Sequence, residues 1–387
     1  MRVLLLLFVL FGVSPFEVGN VLEHDDAVFE RQIKMMSRPP VKTVVTAEGD
    51  TIDCIDIDKQ PSLQHPLLKN HKVQREPTFH VTSFAHNFLH IKSIQFGLRK
   101  PCPIGTVPIS QVTKKDLIRA RALPRMTYSA ASRWNAVQSS KHVVVALTDS
   151  KVENIKYGIY GRTSIYNITV ASDQSSSHNI WIQSGPVDHL SMIVAGWTVS
   201  PQLYGNSLPR LFTYWTGDGH RDGCFNLLCP GFVLVDGGAL IDTPLVGSTY
   251  GGDQHELAIL VQQDRTTGNW WLMIGYPPAK VGYWPKELFP HLQNGSLTVA
   301  WGGDGSAGSN GVCPPMGSGH KPDGDYRHAT YFRILHWVDA DGKFVLPSGE
   351  VTEWVDPSHV YDLKTYGYNR DLGYWIGYGG PGGYCSG

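Results

Sequence analysis

From residue 142 to residue 338 the chain runs in short apolar–polar alternations broken by Gly, Pro, Asn and Asp, with no helical period between them. Alternation at period two puts every second side chain on one face of a strand. The pattern is carried by 142–148, 165–171, 179–183, 191–199, 211–215, 231–235, 256–262, 269–274, 297–301 and 330–338. Arg-Thr-Thr-Gly-Asn at 265–269 and Asp-Ala-Asp-Gly at 339–342 predict hairpin turns. At least ten strands without crossover helices predict an antiparallel β-sandwich. The 41 Gly and 25 Pro fit tight turns, and they argue against a helical bundle, a coiled coil or a disordered chain.

The first third reads differently. Residues 26–37 predict a helix with Asp25 or Asp26 as N-cap, and 41–46 predicts a strand. Thr113 can cap a helix through Lys114 to Leu123 that stops before Pro124. From 124 to 141 the chain turns small and polar, which predicts an exposed boundary suited to proteolysis. Charge divides at the same place: residues 1–135 hold 18 Lys+Arg and 12 Asp+Glu, while 136–387 hold 15 and 22. Complementary fields of this kind imply a smaller α+β unit docked on a mainly β one. The overall net charge of −1 gives no nucleic-acid footprint.

Arg2 followed by the apolar run 3–13 reads as a secretory leader ending near Gly19, too short to span a membrane. Asn167 and Asn294 head N-glycosylation sequons consistent with that route. Six cysteines in an exported chain read as disulfide candidates, and the absence of a CxxC pair argues against a zinc ribbon. Cys224 and Cys229 enclose a short loop; Cys54, Cys102, Cys313 and Cys385 complete the set.

Other motifs fail on spacing. His255-Glu256 lacks the second His of a zincin helix, and His86 and His90 lack the Glu between them. Asp339, Asp341 and Glu350 imitate a calcium loop, but the glycine falls at the wrong position and Pro347 intrudes. The Gly-rich stretches 302–311 and 379–383 have no strand–helix unit around them to cradle phosphate, and no GxSxG elbow exists. No metal or cofactor is implied.

Ordered motifs along almost the whole chain after the leader do carry a resemblance. They are DCIDIDKQPSLQHPLLKNHKVQ (53–74), CPIGTVPI (102–109), AGWTVSPQLYGN (195–206), RLFTYWTGDG (210–219), CFNLLCPGFV (224–233) and GNWWLMIGYPPAKVGYWPKELF (268–289). WGGD (301–304), MGSGH (316–320) and YGGPGG (378–383) follow. The sequence resembles the plant neprosin family of secreted glutamic peptidases. That resemblance implies a leader at 1–20, an activation propeptide at 21–137 and a β-sandwich peptidase-like domain at 138–387, secreted to the apoplast. It also makes the chain's own propeptide its first partner.

A glutamic peptidase needs two carboxyl groups, one ionised to activate water and one protonated to polarise the carbonyl. The family carries its glutamates in I-E-A-G-W and W-G-G-E. Here the first motif has Val194 at the glutamate position and the second has Asp304, one methylene shorter. Val194 can do no proton chemistry, and losing one general acid or base costs ~10²–10⁴ in rate. The resemblance therefore implies a scaffold with a degenerate dyad, impaired or inactive as a post-proline endopeptidase. Two alternatives stand beside it: an active acid peptidase using Asp304 with a second acid, and a disulfide-linked extracellular wall or binding protein.

Among the aromatics, Trp197, Trp215 and Tyr214 lie beside the family motifs and are expected to line a cleft for a proline-containing peptide or a cell-wall ligand. The competing expectation is that they fill the sandwich core, together with Trp270, Trp271 and Trp284. The family's cysteine before Tyr-Asp-Leu is Val360 here, which leaves Cys385 without its usual partner. Pairing of Cys313 with Cys385 is one expectation; a free thiol is the other. Cys54 with Cys102 and Cys224 with Cys229 are the remaining expected pairs.

Overall fold

The structure is a computed structural model that describes residues 15–80, 91–94, 96–123, 141–219, 221–347, 349 and 351–385. The apolar run at 3–13, His86, His90, Glu350 and the stretch 124–140 lie outside the described residues.

Helices α1 (Pro15–Met36) and α2 (Lys114–Ala122) and strands β1 (Lys42–Val45), β2 (Thr51–Asp56), β3 (Ile91–Ser93) and β4 (Thr106–Ser110) make up the first part. Helix α1 starts ahead of its predicted N-cap, so Asp25 and Asp26 lie within it. Thr113 does cap α2: its hydroxyl accepts from Asp116 N, and the Asp116 carboxylate accepts from Thr113 N at 2.9 Å. That reciprocal pair satisfies two donors the helix start would leave open. Strands β1, β2 and β4 form a small antiparallel sheet.

The remainder is strand after strand. In chain order these are β5 (Lys141–Thr148), β6 (Gly158–Ser164), β7 (Ser175–Ser184), β8 (Ser191–Val199), β9 (Arg210–Thr216), β10 (Cys224–Phe225) and β11 (Val233–Leu234). They continue with β12 (Gln254–Gln263), β13 (Trp270–Ile274), β14 (Ala279–Trp284), β15 (Thr298–Ser306), β16 (Val312–Cys313) and β17 (Thr330–Val338). The last are β18 (Phe344–Val345), β19 (Val351–Val355), β20 (Asp362–Asn369), β21 (Gly373–Gly379) and β22 (Gly383–Tyr384). A seven-stranded sheet has the order β10-β9-β8-β7-β15-β5-β19. A ten-stranded sheet runs β11-β14-β13-β12-β6-β17-β21-β20, with β18 on β17 and β3 on β12. Ile180, Trp197 and Trp301 of the first sheet meet Ile259, Val261 and Phe332 of the second in one buried cluster. The fold is mainly β, with antiparallel sheets facing each other.

The strand expected at 165–171 is absent; the strand there is β6, just before it. Its sequence hid it because both faces are buried and the alternation is broken by Arg162, Thr163 and Ser164. Arg162 is tolerated inside because its Nε donates to Tyr160 Oη at 2.7 Å. Gly161 is required for close approach: an added Cβ would fall 2.9 Å from the Phe332 ring and 3.1 Å from Trp301.

The first part is fastened to the second without regard to the charge division. Asp50 pairs with Arg210 at 3.2 Å and Glu76 with Lys280, but Lys92 pairs with Asp253 at 2.7 Å. Neutral contacts do more. The buried Gln60 amide donates to Leu234 O at 3.0 Å and accepts from Leu234 N at 2.8 Å. Gln74 and Thr78 donate to the Asp264 carboxylate at 2.7–2.8 Å. Strand β3 adds to β12 in parallel, Gln254 opposite Ile91. Ile55, Ile57, Leu68, Val107 and Ile109 belong to the same apolar cluster as the sheets.

The structure joins Cys54 to Cys102, Cys224 to Cys229 and Cys313 to Cys385, and leaves no free cysteine. A thiol-mediated link between chains therefore has no cysteine left to make it. Asn167 and Asn294 are exposed.

Candidate functional site

Period two decides which side chains can meet a ligand. On β8, Ile193, Ala195, Trp197 and Val199 point between the sheets. Met192 and Val194 point to the outer face, where they join Trp181, Ala300, Val145, Leu147, Phe212 and Tyr214. Val194 is fully buried there, and Ala120 and Leu123 from the first part pack on the same cluster. The α2 end thus covers the outer face of the seven-stranded sheet.

Asp304 lies on that face, its backbone opposite Ser177 on β7 and Val143 on β5. Its side chain is 5% exposed. Lys141 Nζ approaches Oδ1 at 3.2 Å, and Asn179 Nδ2 donates to Oδ2 at 3.3 Å. A carboxylate this deep requires such partners, because burial strips its hydration. Asn179 Oδ1 is buried and finds no partner among the described residues. Gly196, paired with Asn179, keeps the floor low; an added Cβ would fall 2.5 Å from Asn179 Oδ1. Beside them Ser175, Ser177, Thr198, Ser200 and Ser306 line a small hydroxyl-rich pocket with Lys141. Ser177 Oγ and Thr198 Oγ1 are hydrogen-bonded at 2.8 Å.

The structure does not bring Val194 and Asp304 together. Val194 stands opposite Trp181, and Trp181 opposite Ala300, whereas Asp304 is four residues further along β15. With strands ~4.8 Å apart and a rise of ~3.3 Å per residue, the offset is about 10 Å across and 13 Å along. Their backbones are therefore about 16 Å apart on one face. Thr198 is the β8 residue level with Asp304, through Ser177.

Two expected cleft residues are interior ones. Trp197 is fully buried, its Nε1 donating to Ser164 O at 3.1 Å, and its indole stacks on His178 at 4.0 Å. Trp215 is buried in the inter-sheet cluster, edge-on to Phe289. Both sit at the positions whose alternation points inward, which is the physical reason the cleft assignment fails for them. Tyr214, one residue from Trp215, points outward beside Phe225 at 4.9 Å. Trp270 and Trp284 also lie between the sheets, and Trp271 packs with Tyr283 on the far face of the ten-stranded sheet.

His178 was one of 16 histidines, and no motif in the sequence marks it. Desolvation pushes its pKa down to about 3, so it is neutral. Gly317 N donates to its Nε2 at 3.1 Å, which leaves Nδ1–H for Tyr378 Oη at 3.0 Å. Tyr378 in turn donates to Gly302 O at 3.0 Å, just before the Asp304 segment. This relay positions backbone; it faces away from the outer surface.

Two family models match the chain. The family model described as Neprosin matches residues 172–381, and that described as Neprosin activation peptide matches residues 43–157. The chain belongs to the Neprosin family. Among solved structures, two of scytalido-glutamic peptidase are similar, one with a transition state analog inhibitor and one with a peptide based transition state analog. They are 8% and 9% identical, with TM-scores of 0.36 and 0.34. SCP-B, a member of the Eqolisin family of peptidases in complex with the tripeptide Ala-Ile-His, is 9% identical with a TM-score of 0.32. Each match covers 62% of this chain and 98% of the other.

Proposed function

We propose that this is an extracellular neprosin-family protein that binds extended, proline-containing peptides on the outer face of its seven-stranded sheet and does not cleave them. The observation that carries this reading is the state of Asp304. Its carboxylate is occupied by Lys141 and Asn179, and no second carboxyl hydrogen-bonds it among the described residues. Water activation needs a free base, and carbonyl polarisation needs a proton donor or an equivalent electrophile nearby. Val194 supplies neither, and it stands too far along the sheet to share one scissile bond with Asp304. The apolar outer cluster around Trp181 and Tyr214 supplies surface on which a proline ring can pack. In this reading the first part acts as the chain's own propeptide, occupying that face until the chain is cut within 124–141 and the two parts separate.

The test is a cleavage assay of the chain, intact and nicked within 124–141, on proline-containing peptides from acid to neutral pH. No product is expected, together with saturable binding by the nicked form. Turnover that Asp304→Ala abolishes would overturn the reading. It would favour the active alternative, in which Asp304 works with a second acid.

A further inference from the structure

Away from the outer face, His142, Cys313 and Cys385 bring one ring nitrogen and two sulfurs within 4.8 Å of one another. We propose that reduction of the Cys313–Cys385 disulfide opens a binding site for a thiophilic divalent cation, Zn²⁺ in particular, with the two thiolates and His142 as ligands.

The donor set is that of a zinc site with one open position, three protein ligands of N and S type. His142 already has the support such a ligand needs. Its Nδ1 lies 3.2 Å from Asp356 Oδ2, and a proton shared there leaves the ring's lone pair on Nε2. The surroundings also suit a metal thiolate: Cys313 is 1% exposed and the His142 side chain 14%.

Backbone hydrogen bonds hold the scaffold alongside the covalent bond. Cys313 lies in the β16–β22 ladder opposite Gly383, and Cys385 N donates to Gly311 O at 3.0 Å. His142 lies on β5 opposite Gly305, and Asp356 N donates to Val143 O at 3.0 Å. These backbone bonds persist when the sulfurs part. The sulfurs, bonded in the structure, need only separate to about 3.8 Å, the edge of a tetrahedron with Zn–S near 2.3 Å.

The step balances with a dithiol as reductant. Its thiolate attacks one sulfur, its second thiol closes its own disulfide, and two electrons and two protons pass to Cys313 and Cys385. Zn²⁺ then displaces the two thiol protons to solvent. The cation would keep the C-terminal segment tied to β16, as the disulfide does, and would tie both to β5 through His142.

The experiment uses the full chain, reduced with a trialkylphosphine under argon and titrated with Co²⁺ alone. Reduced chain should give thiolate-to-cobalt charge-transfer and tetrahedral d–d bands at one equivalent, bleached by Zn²⁺, and oxidised chain should give neither. Replacing Cys224 and Cys229 by Ser should leave the bands intact, which separates this site from the closely spaced Cys224–Cys229 pair. His142→Ala should weaken binding at least tenfold, and Asp356→Asn, which keeps shape, by about 10-fold or more. Near-ultraviolet dichroism checks that each variant is folded; should His142→Ala unfold, Asp356→Asn decides. No bands in the reduced chain, bands that survive Cys313→Ser, or unchanged affinity in the folded histidine and aspartate variants would overturn the proposal.

Discussion

Lys141 opens β5 directly opposite Ser306, and its ammonium reaches back to hold Asp304 Oδ1 at 3.2 Å. The sole acid that the family motif places on the outer face is thereby neutralised by a residue from the neighbouring strand.

Removing that cation should be expensive. Lys141→Ala leaves Asp304 buried beside a single amide, and breaking one side of a buried pair costs about 3–5 kcal/mol. The double change Lys141→Met with Asp304→Leu should cost less than the single one, because no charge is left stranded. Chemical unfolding of the three chains side by side checks this.

Register predicts the outcome of restoring the family's acids. Val194→Glu with Asp304→Glu places two carboxyls about 16 Å apart at the backbone, beyond what two side chains can bridge around one peptide bond. Neither the single changes nor the double one should yield detectable cleavage after proline, measured by mass spectrometry from acid to neutral pH. Activity in the double variant would mean that the strands shift on peptide binding.

Acidification should loosen the first part from the second through its histidines. His71 meets Tyr283 Oη at 2.8 Å and His65 packs on Trp215. Burial lowers both pKa values, opposed more weakly by Glu287 and Asp222 respectively. A docked histidine that resists protonation costs nothing above about pH 6.5 and weakens docking below it, by up to about tenfold per pH unit and group. The effect levels off once pH passes the lowered value. Retention of the two parts after nicking, measured by gel filtration at falling pH, should show this, and His71→Gln should flatten it.

Asp242 works in the opposite sense. It is half-buried and lines a pocket with Asp50, Ser110 and Asp116 of the first part, and desolvation pushes its pKa up to about 7. A raised carboxyl contributes docking stability below its ordinary value near 4 and loses it as pH rises through 7. Asp242→Asn, neutral at every pH, should strengthen docking above pH 7 and change little near pH 4. Asn also tolerates the left-handed backbone at this position, where φ is 72°. The same nicked-chain measurement, run from pH 4 to above pH 7, checks it.

Much of this was legible in residue pattern. Thr113 and Asp116 announce the start of α2 by their spacing, and the alternation in 191–199 gives β8 at its exact bounds. The chemistry-bearing motifs are likewise readable, since Val194 and Asp304 differ visibly from the family's glutamates. What failed depends on two-sided burial and long-range register. Strand β6 carries Arg162 inside, and β20 and β21 are Gly- and Tyr-rich, so neither shows a clean alternation. Trp197 beside Gly196 looks like a cleft residue until the strand's parity is known. The partnership of Asp304 with Lys141 joins residues 163 apart, and no local rule reaches that far.

The apolar residues that the first part shares with both sheets bear on how the molecule comes into being. Ile55, Val107 and Ile109 leave the ribosome before any strand of the seven-stranded sheet, on a small sheet already closed by Cys54–Cys102. The long-range β pairings that follow are the slow part of such a fold. An apolar surface that is already present would give them a face to form against. A chain made without its first part should therefore reach the same sheets far less often.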